Sequence, residues 1–156
     1  MALEAETAAF DEILHKLIDY TMETEMTEAV QKEMEIQIVD KVYEVYHPRV
    51  YERKWTKHGL LDLEKTPIGN LDINYDSQLM LLTVENVRSD WEPTSEAHYG
   101  RNVAEVVESG SGYDWRRIGP RPFHKPTEDA LIKSGEADRV LQKALDESLA
   151  GDIWSI

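Results

Sequence analysis

Asn70-Leu-Asp-Ile-Asn-Tyr-Asp-Ser-Gln-Leu-Met-Leu-Leu-Thr-Val84 is where the hydrophobic pattern changes period, and that change decides the fold class. Leu71, Ile73 and Tyr75 alternate with Asn70, Asp72 and Asn74, which is the two-residue period of a half-buried strand. Asp76-Ser77 reads as a turn, and the apolar run Leu79 to Val84 reads as a second strand paired to the first. A β-hairpin is the economical interpretation.

Helical patterns flank the hairpin on both sides. Upstream, Phe10, Ile13, Leu14, Leu17 and Ile18 share one stripe, so residues 4–20 are expected to form an amphipathic helix. Met26, Val30, Met34, Ile38, Val42 and Val45 then recur about every fourth residue up to His47-Pro48, where proline disfavours helix at the residue before it. This second helix would be about 30 Å long. The threonines at 21, 24 and 27 either cap it or lie within one continuous rod, and the pattern leaves both open. Downstream, Pro126 and Thr127 open a helix through about Lys133, Ser134-Gly135 interrupts it, and Val140, Leu141, Ala144, Leu145 and Leu149 form the stripe of a last helix ending at Gly151.

The expected class is therefore α+β in a single domain over 1–156. It divides into a helical region 1–47, an extended arm 48–66, sheet and loops 67–125, C-terminal helices 126–150 and a tail 151–156. Val103 to Glu108 is a short apolar segment of either type, stopped by Gly110-Ser-Gly112.

Composition narrows the function. Asp and Glu number 31 against 17 Lys and Arg, a net charge of -14 that repels phosphate backbones and anionic lipid. Neither membrane binding nor sequence-specific nucleic-acid binding is expected, and the plain consequence of such a surface is solubility. The chain has no cysteine, which removes disulfides and thiolate metal sites. Acidic residues near Met1 and the lack of a long apolar run argue against a signal peptide or a membrane span.

Motifs for catalysis are weak. Gly110-Ser-Gly112 lacks the lysine and the helix start of a phosphate loop, and Ser111 is a turn residue outside any nucleophile elbow. The histidines at 15, 47, 58, 98 and 124 include no pair at metal-binding helical spacing. Glu105 and Glu108 have the spacing of an acid-base pair, but among 31 acids such pairs arise by chance. No catalytic, cofactor or metal site is expected, and a hydrolase or nuclease built on scattered His and acids is the competing enzyme class.

Residues suited to protein contacts are clearer, because aromatic and arginine side chains anchor interfaces and burying a leucine contributes roughly 1.5 to 3 kcal/mol. Leu79 and Leu81 in the second strand, Trp91, Tyr113 and Trp115 in loops, Arg121 and Phe123 before the C-terminal helix, and Trp154 in the tail are the interface candidates.

Two short motifs add a resemblance. Asn102-Val-Ala-Glu-Val-Val-Glu-Ser-Gly110 ends in a valine-glutamate-x-glycine turn, and Arg121-Pro-Phe-His-Lys-Pro126 follows as a strand-to-helix junction. With Tyr51-Glu-Arg53, Gly59-Leu-Leu61 and the hairpin in the same order, residues 40–149 resemble the head-tail joining, or tail-completion, proteins of long-tailed phages. The arm at 48–66 and the loop at 88–101 are longer than that family's usual pattern.

The resemblance implies a small antiparallel sheet with a C-terminal helix packed on it. It implies a structural subunit of the virion, at the neck or tail and in the host cytoplasm during assembly. Such a subunit self-associates into a ring between portal-side and tail-tube-side proteins, and an acidic lumen would let DNA pass without sticking. Loops 48–66 and 88–117 are expected to reorganise on docking. An acidic adaptor or inhibitor binding a basic protein is the alternative.

Overall fold

A computed structural model describes residues 2–45, 60–61, 70–87, 102–111 and 119–149, with side chains at 2–6 and 149 excepted. The upstream helices form one rod: α1 (Ala2–Thr21), a π turn (Met22–Met26), α2 (Thr27–Ile38) and a second π turn (Val39–Tyr43). Backbone angles stay helical across every junction. The question left open by the threonines is thereby answered. Thr21 Oγ1 donates to the Leu17 carbonyl, Thr24 Oγ1 to Tyr20 and Thr27 Oγ1 to Met22, so all three lie within the rod and bond its own backbone.

The π turns explain how an irregular apolar series keeps one face inward. Buried positions run Leu17, Thr21, Met26, a step of four followed by a step of five, and the long step spans the first π turn. One extra residue there sets the stripe back by about 100°. Val45 departs from the expected stripe: it lies after the second π turn and is exposed, whereas Val42 is buried.

Strands β1 (Leu71–Asp76) and β2 (Leu81–Asn86) pair antiparallel with Leu71 opposite Asn86 and Asp76 opposite Leu81. The predicted hairpin is present, but its turn is residues 77–80 instead of Asp76-Ser77. Asp76 Oδ1 accepts from the N–H groups of Gln78 and Leu79 at 2.9 and 3.0 Å, which lengthens the connection and moves Leu79 out of the strand. Met80 closes the turn with φ 50°, in the left-handed region.

Val103 to Glu108 proves helical: α3 (Val103–Ser109) starts at Asn102, whose Oδ1 accepts from Ala104 N–H at 2.9 Å, and stops at left-handed Gly110. Next come α4 (His124–Ser134) and α5 (Glu136–Leu149), separated by Gly135 with φ 66°. The four residues before α4 are irregular, so the expected strand-to-helix junction is a loop-to-helix junction. Both C-terminal helices pack against the rod, α4 on α2 and α5 on α1. The sheet meets both sides of this packing: α2 packs against β2, and Asn86 N–H of β2 donates to His124 Nε2 at the start of α4.

One core joins these layers. Met34, Ile38 and Val42 from the rod meet Leu60 and Leu61, Ala104 and Val107 of α3, and Phe123. Leu60 and Leu61 are the described end of the arm, and polar side chains fix them. Leu60 N–H donates to Tyr43 Oη at 3.0 Å, and the Leu60 carbonyl accepts from Asn86 Nδ2 at 2.8 Å and from Asn70 Nδ2 at 3.5 Å. The buried peptide is thus satisfied on both sides, as burial demands.

Candidate assembly surface

Two features stand out among the described residues, an apolar hairpin tip and a polar junction that meets the hairpin at its opposite end, at Asn86. The tip carries Leu79 at 70% exposure, Leu81 at 53%, and Met80 beside them. Leu81 shares the outward face of the hairpin with Asp72, Asn74, Thr83 and Glu85, all exposed. Water-facing leucines gain free energy on burial, roughly 1.5 to 3 kcal/mol for each side chain fully covered. The Asp76 side chain holds the turn's backbone, so these residues are presented on an ordered support. At the other face, Tyr75 Oη donates to Asp19 Oδ1 at 2.8 Å and ties the hairpin to α1. Burial and the Asp19 carboxylate push the Tyr75 phenol up to about 12.

The junction brings together the two motifs on which the resemblance rests. Glu108, at the end of α3, accepts through Oε1 from the backbone N–H of Phe123 at 2.9 Å and of His124 at 2.7 Å. The same oxygen lies 2.9 Å from His124 Nδ1. Phe123 is the N-cap of α4 and has no capping group of its own, so a carboxylate from another helix supplies the cap. Burial raises the Glu108 pKa, but the hydrogen bonds from His124 and Phe123 and the adjacent His124 ring outweigh it and hold the carboxyl below its ordinary value.

His124 carries the connection on to the sheet. Its Nε2 is 3.1 Å from Asn86 N–H and accepts that bond, which leaves the ring proton on Nδ1, facing Glu108. One imidazole therefore links α3, α4 and β2. Arg121 N–H donates to the Val107 carbonyl at 3.1 Å, a second tie between the motifs. The arrangement positions backbone; Glu105 is exposed on α3 and takes no part in it.

The interface candidates fall into three groups. Leu79 and Leu81 lie together at the exposed tip. Phe123 does not belong with them: it is 0% exposed and fills the core between α3 and the rod, so as a surface anchor it is corrected to a core residue. Its flanking prolines and arginine look like a contact loop in sequence, but the Glu108 cap turns the ring inward. Arg121 is half-buried beside it. Trp91, Tyr113, Trp115 and Trp154 lie outside the described residues, as do most of the arm and of the loop 88–117.

Met80 and Glu108 were missed as contributors. An exposed Met next to two leucines in a turn is visible in sequence once the Asp76 turn is drawn two residues longer. A carboxylate two residues before a glycine stop, followed by a helix whose cap position is phenylalanine, is the signal for Glu108.

Among the described residues no group of three or more His, Asp or Glu side chains is placed to hold a metal ion. No described helix is long and apolar enough to cross a membrane.

Fold and surface together define an acidic α+β domain with a helical rod, a capped helix junction and an apolar hairpin tip. The chain belongs to the YomN family, whose family model matches residues 7–147. No curated protein and no solved structure matches it.

Proposed function

We propose that this chain is a structural subunit of a tailed-phage particle, joining head to tail at the neck by assembling into a ring. The observation that carries the proposal is the hairpin tip, where Leu79, Met80 and Leu81 are exposed on a turn fixed by Asp76. Exposed apolar side chains on an ordered support suit a lasting contact between subunits. The pairing of the two junction motifs and the phage-derived family name support the same reading. In a ring each subunit uses two different patches, so the tip of one copy meets another surface of the next. Its net charge of -14 suits a lumen through which DNA slides without adhering. Portal-side and tail-tube-side proteins are the neighbours this role requires.

The charge also favours a second reading, an adaptor or inhibitor that neutralises a basic protein partner. Light scattering across a concentration series distinguishes the two, run alone and with candidate portal and tail proteins. A ring mass that the double variant Leu79→Asp and Leu81→Asp abolishes, with helical content unchanged, is the expected result. A stable one-to-one complex with a basic protein, indifferent to the double variant, overturns the ring in favour of the adaptor.

A further inference from the structure

The hairpin and α5 flank the rod on opposite sides. Asp19 accepts from Tyr75 of the hairpin at 2.8 Å, and the Glu23 carboxylate adds to the negative field on the same phenol. Glu25, two residues further on, accepts instead from Lys143 Nζ of α5 at 3.1 Å. Two residues advance a helix by roughly half a revolution, which sets the two contacts back to back.

Between the rod and α5 lies an open groove of about 590 Å³. Its apolar lining is Ala29 and Val140, both half-buried. Lys143 pairs there with Glu25, and Arg139 with Glu136. Glu28 and Lys32 complete the lining; both are exposed, and Lys32 has no ion partner among the described residues. Three cations thus face three carboxylates, and the groove is neutral on a chain whose net charge is -14. The hairpin has a different character. Residues 70–87 hold Asp72, Asp76 and Glu85 and no lysine or arginine, with Leu79, Met80 and Leu81 exposed at the tip. An acidic, apolar tip is repelled by most of so acidic a surface, and least by a neutral groove with an unpaired ammonium and an apolar lining.

We propose that the hairpin tip of one copy docks in the groove between the rod and α5 of the next, its leucines against Ala29 and Val140 and its carboxylates near Lys32. This contact rests on the ring assembly proposed above and names the second patch that such a ring requires. Because tip and groove belong to opposite sides of the rod, one copy uses both at once, filling its neighbour's groove while its own receives the next tip. That is the head-to-tail arrangement that closes by rotation. Tip against tip would set like charges together and stop at a dimer.

Light scattering on the full chain, alone and with candidate portal and tail proteins, compares the native protein with two groove variants. Ala29→Glu combined with Lys32→Glu is expected to abolish the ring mass with helical content unchanged. Lys32→Glu alone, which alters only an exposed side chain, is expected to raise the concentration needed for half-assembly several-fold. Because the chain has no cysteine, introduced thiols report on this contact alone. A chain carrying only Leu79→Cys, mixed with one carrying only Ala29→Cys and oxidised, is expected to give a mixed disulfide several-fold above the disulfide formed by either chain alone. A ring that survives the double groove variant but not Leu79→Asp with Leu81→Asp overturns the groove and leaves the ring standing. A disulfide chiefly between two Leu79→Cys chains assigns the tip to a symmetric contact and overturns the groove as well. A native chain that forms no ring in any mixture overturns the ring assembly and this contact with it.

Discussion

Replacing Glu108 with alanine tests the junction most directly. The substitution removes one carboxylate that accepts from Phe123 N–H, from His124 N–H and from the His124 ring. Loss of a helix cap costs about 1–2 kcal/mol, and a hydrogen bond to a charged group contributes about 1.5–3 kcal/mol. The three contacts share one group and do not add, so the expected loss is about 2–4 kcal/mol. In urea, with a slope of about 1–3 kcal/mol per molar, that lowers the unfolding midpoint by about 1–2 M. Glu108→Gln keeps an acceptor oxygen and loses the charge, and falls between native and alanine.

Acid supplies an internal control. The folded state holds the Glu108 pKa below its ordinary value of 4.5, so its contribution is complete above that value. It is lost as pH falls through the lowered folded value, because the unfolded chain takes up its proton first. The native chain and Glu108→Gln should therefore differ by a constant amount near neutrality and converge in acid. Unfolding curves followed by circular dichroism at several pH values measure both effects. An alanine variant within about 0.5 kcal/mol of native, or a gap to glutamine that persists unchanged through the acid range, refutes the cap.

Three further outcomes are expected. Phe123→Ala should destabilise by about 3–5 kcal/mol in the same urea assay, since the ring is wholly buried; near-neutral stability with lost assembly would restore it as a contact residue. Gly135→Ala should cost about 1–2 kcal/mol through its φ of 66° alone, because a methyl group there meets nothing within 4 Å. Tyr75→Phe should lose about 1 kcal/mol by removing the bond to Asp19, and Asp19→Asn in the same background should add little further, as double-variant unfolding will show.

Much of the fold was legible because period carries it. The alternation at Leu71, Ile73 and Tyr75 located β1, and the stripe through Val140, Leu141 and Leu145 located α5. What escaped depends on single hydrogen bonds. The turn slipped two residues because Asp76 binds backbone N–H groups within the turn, an effect that apolar pattern does not encode. The continuity of the rod was ambiguous because threonine is equally at home at a cap and inside a helix. On the surface, Leu79 and Leu81 are exposed, with Leu79 in the turn and not in the strand, whereas Phe123 carries the composition of an interface and the burial of a core. Its inward turn follows from Glu108, fifteen residues earlier. No local window contains both.

The two π turns also bear on how the chain tolerates change in length. Each holds one residue more than an ordinary helical turn, so a single deletion within 22–26 or 39–43 has a ready local solution, relaxation into α geometry. The disturbance moves elsewhere. Closing the first π turn rotates everything before it by about 100° relative to α2, which would swing Leu17 and Thr21 away from α5 while leaving the Phe123 core in place. The rod thus behaves as two phased segments joined by a length-sensitive coupling, in which deletions at the joint are absorbed locally and read out as a change in which face the far end presents.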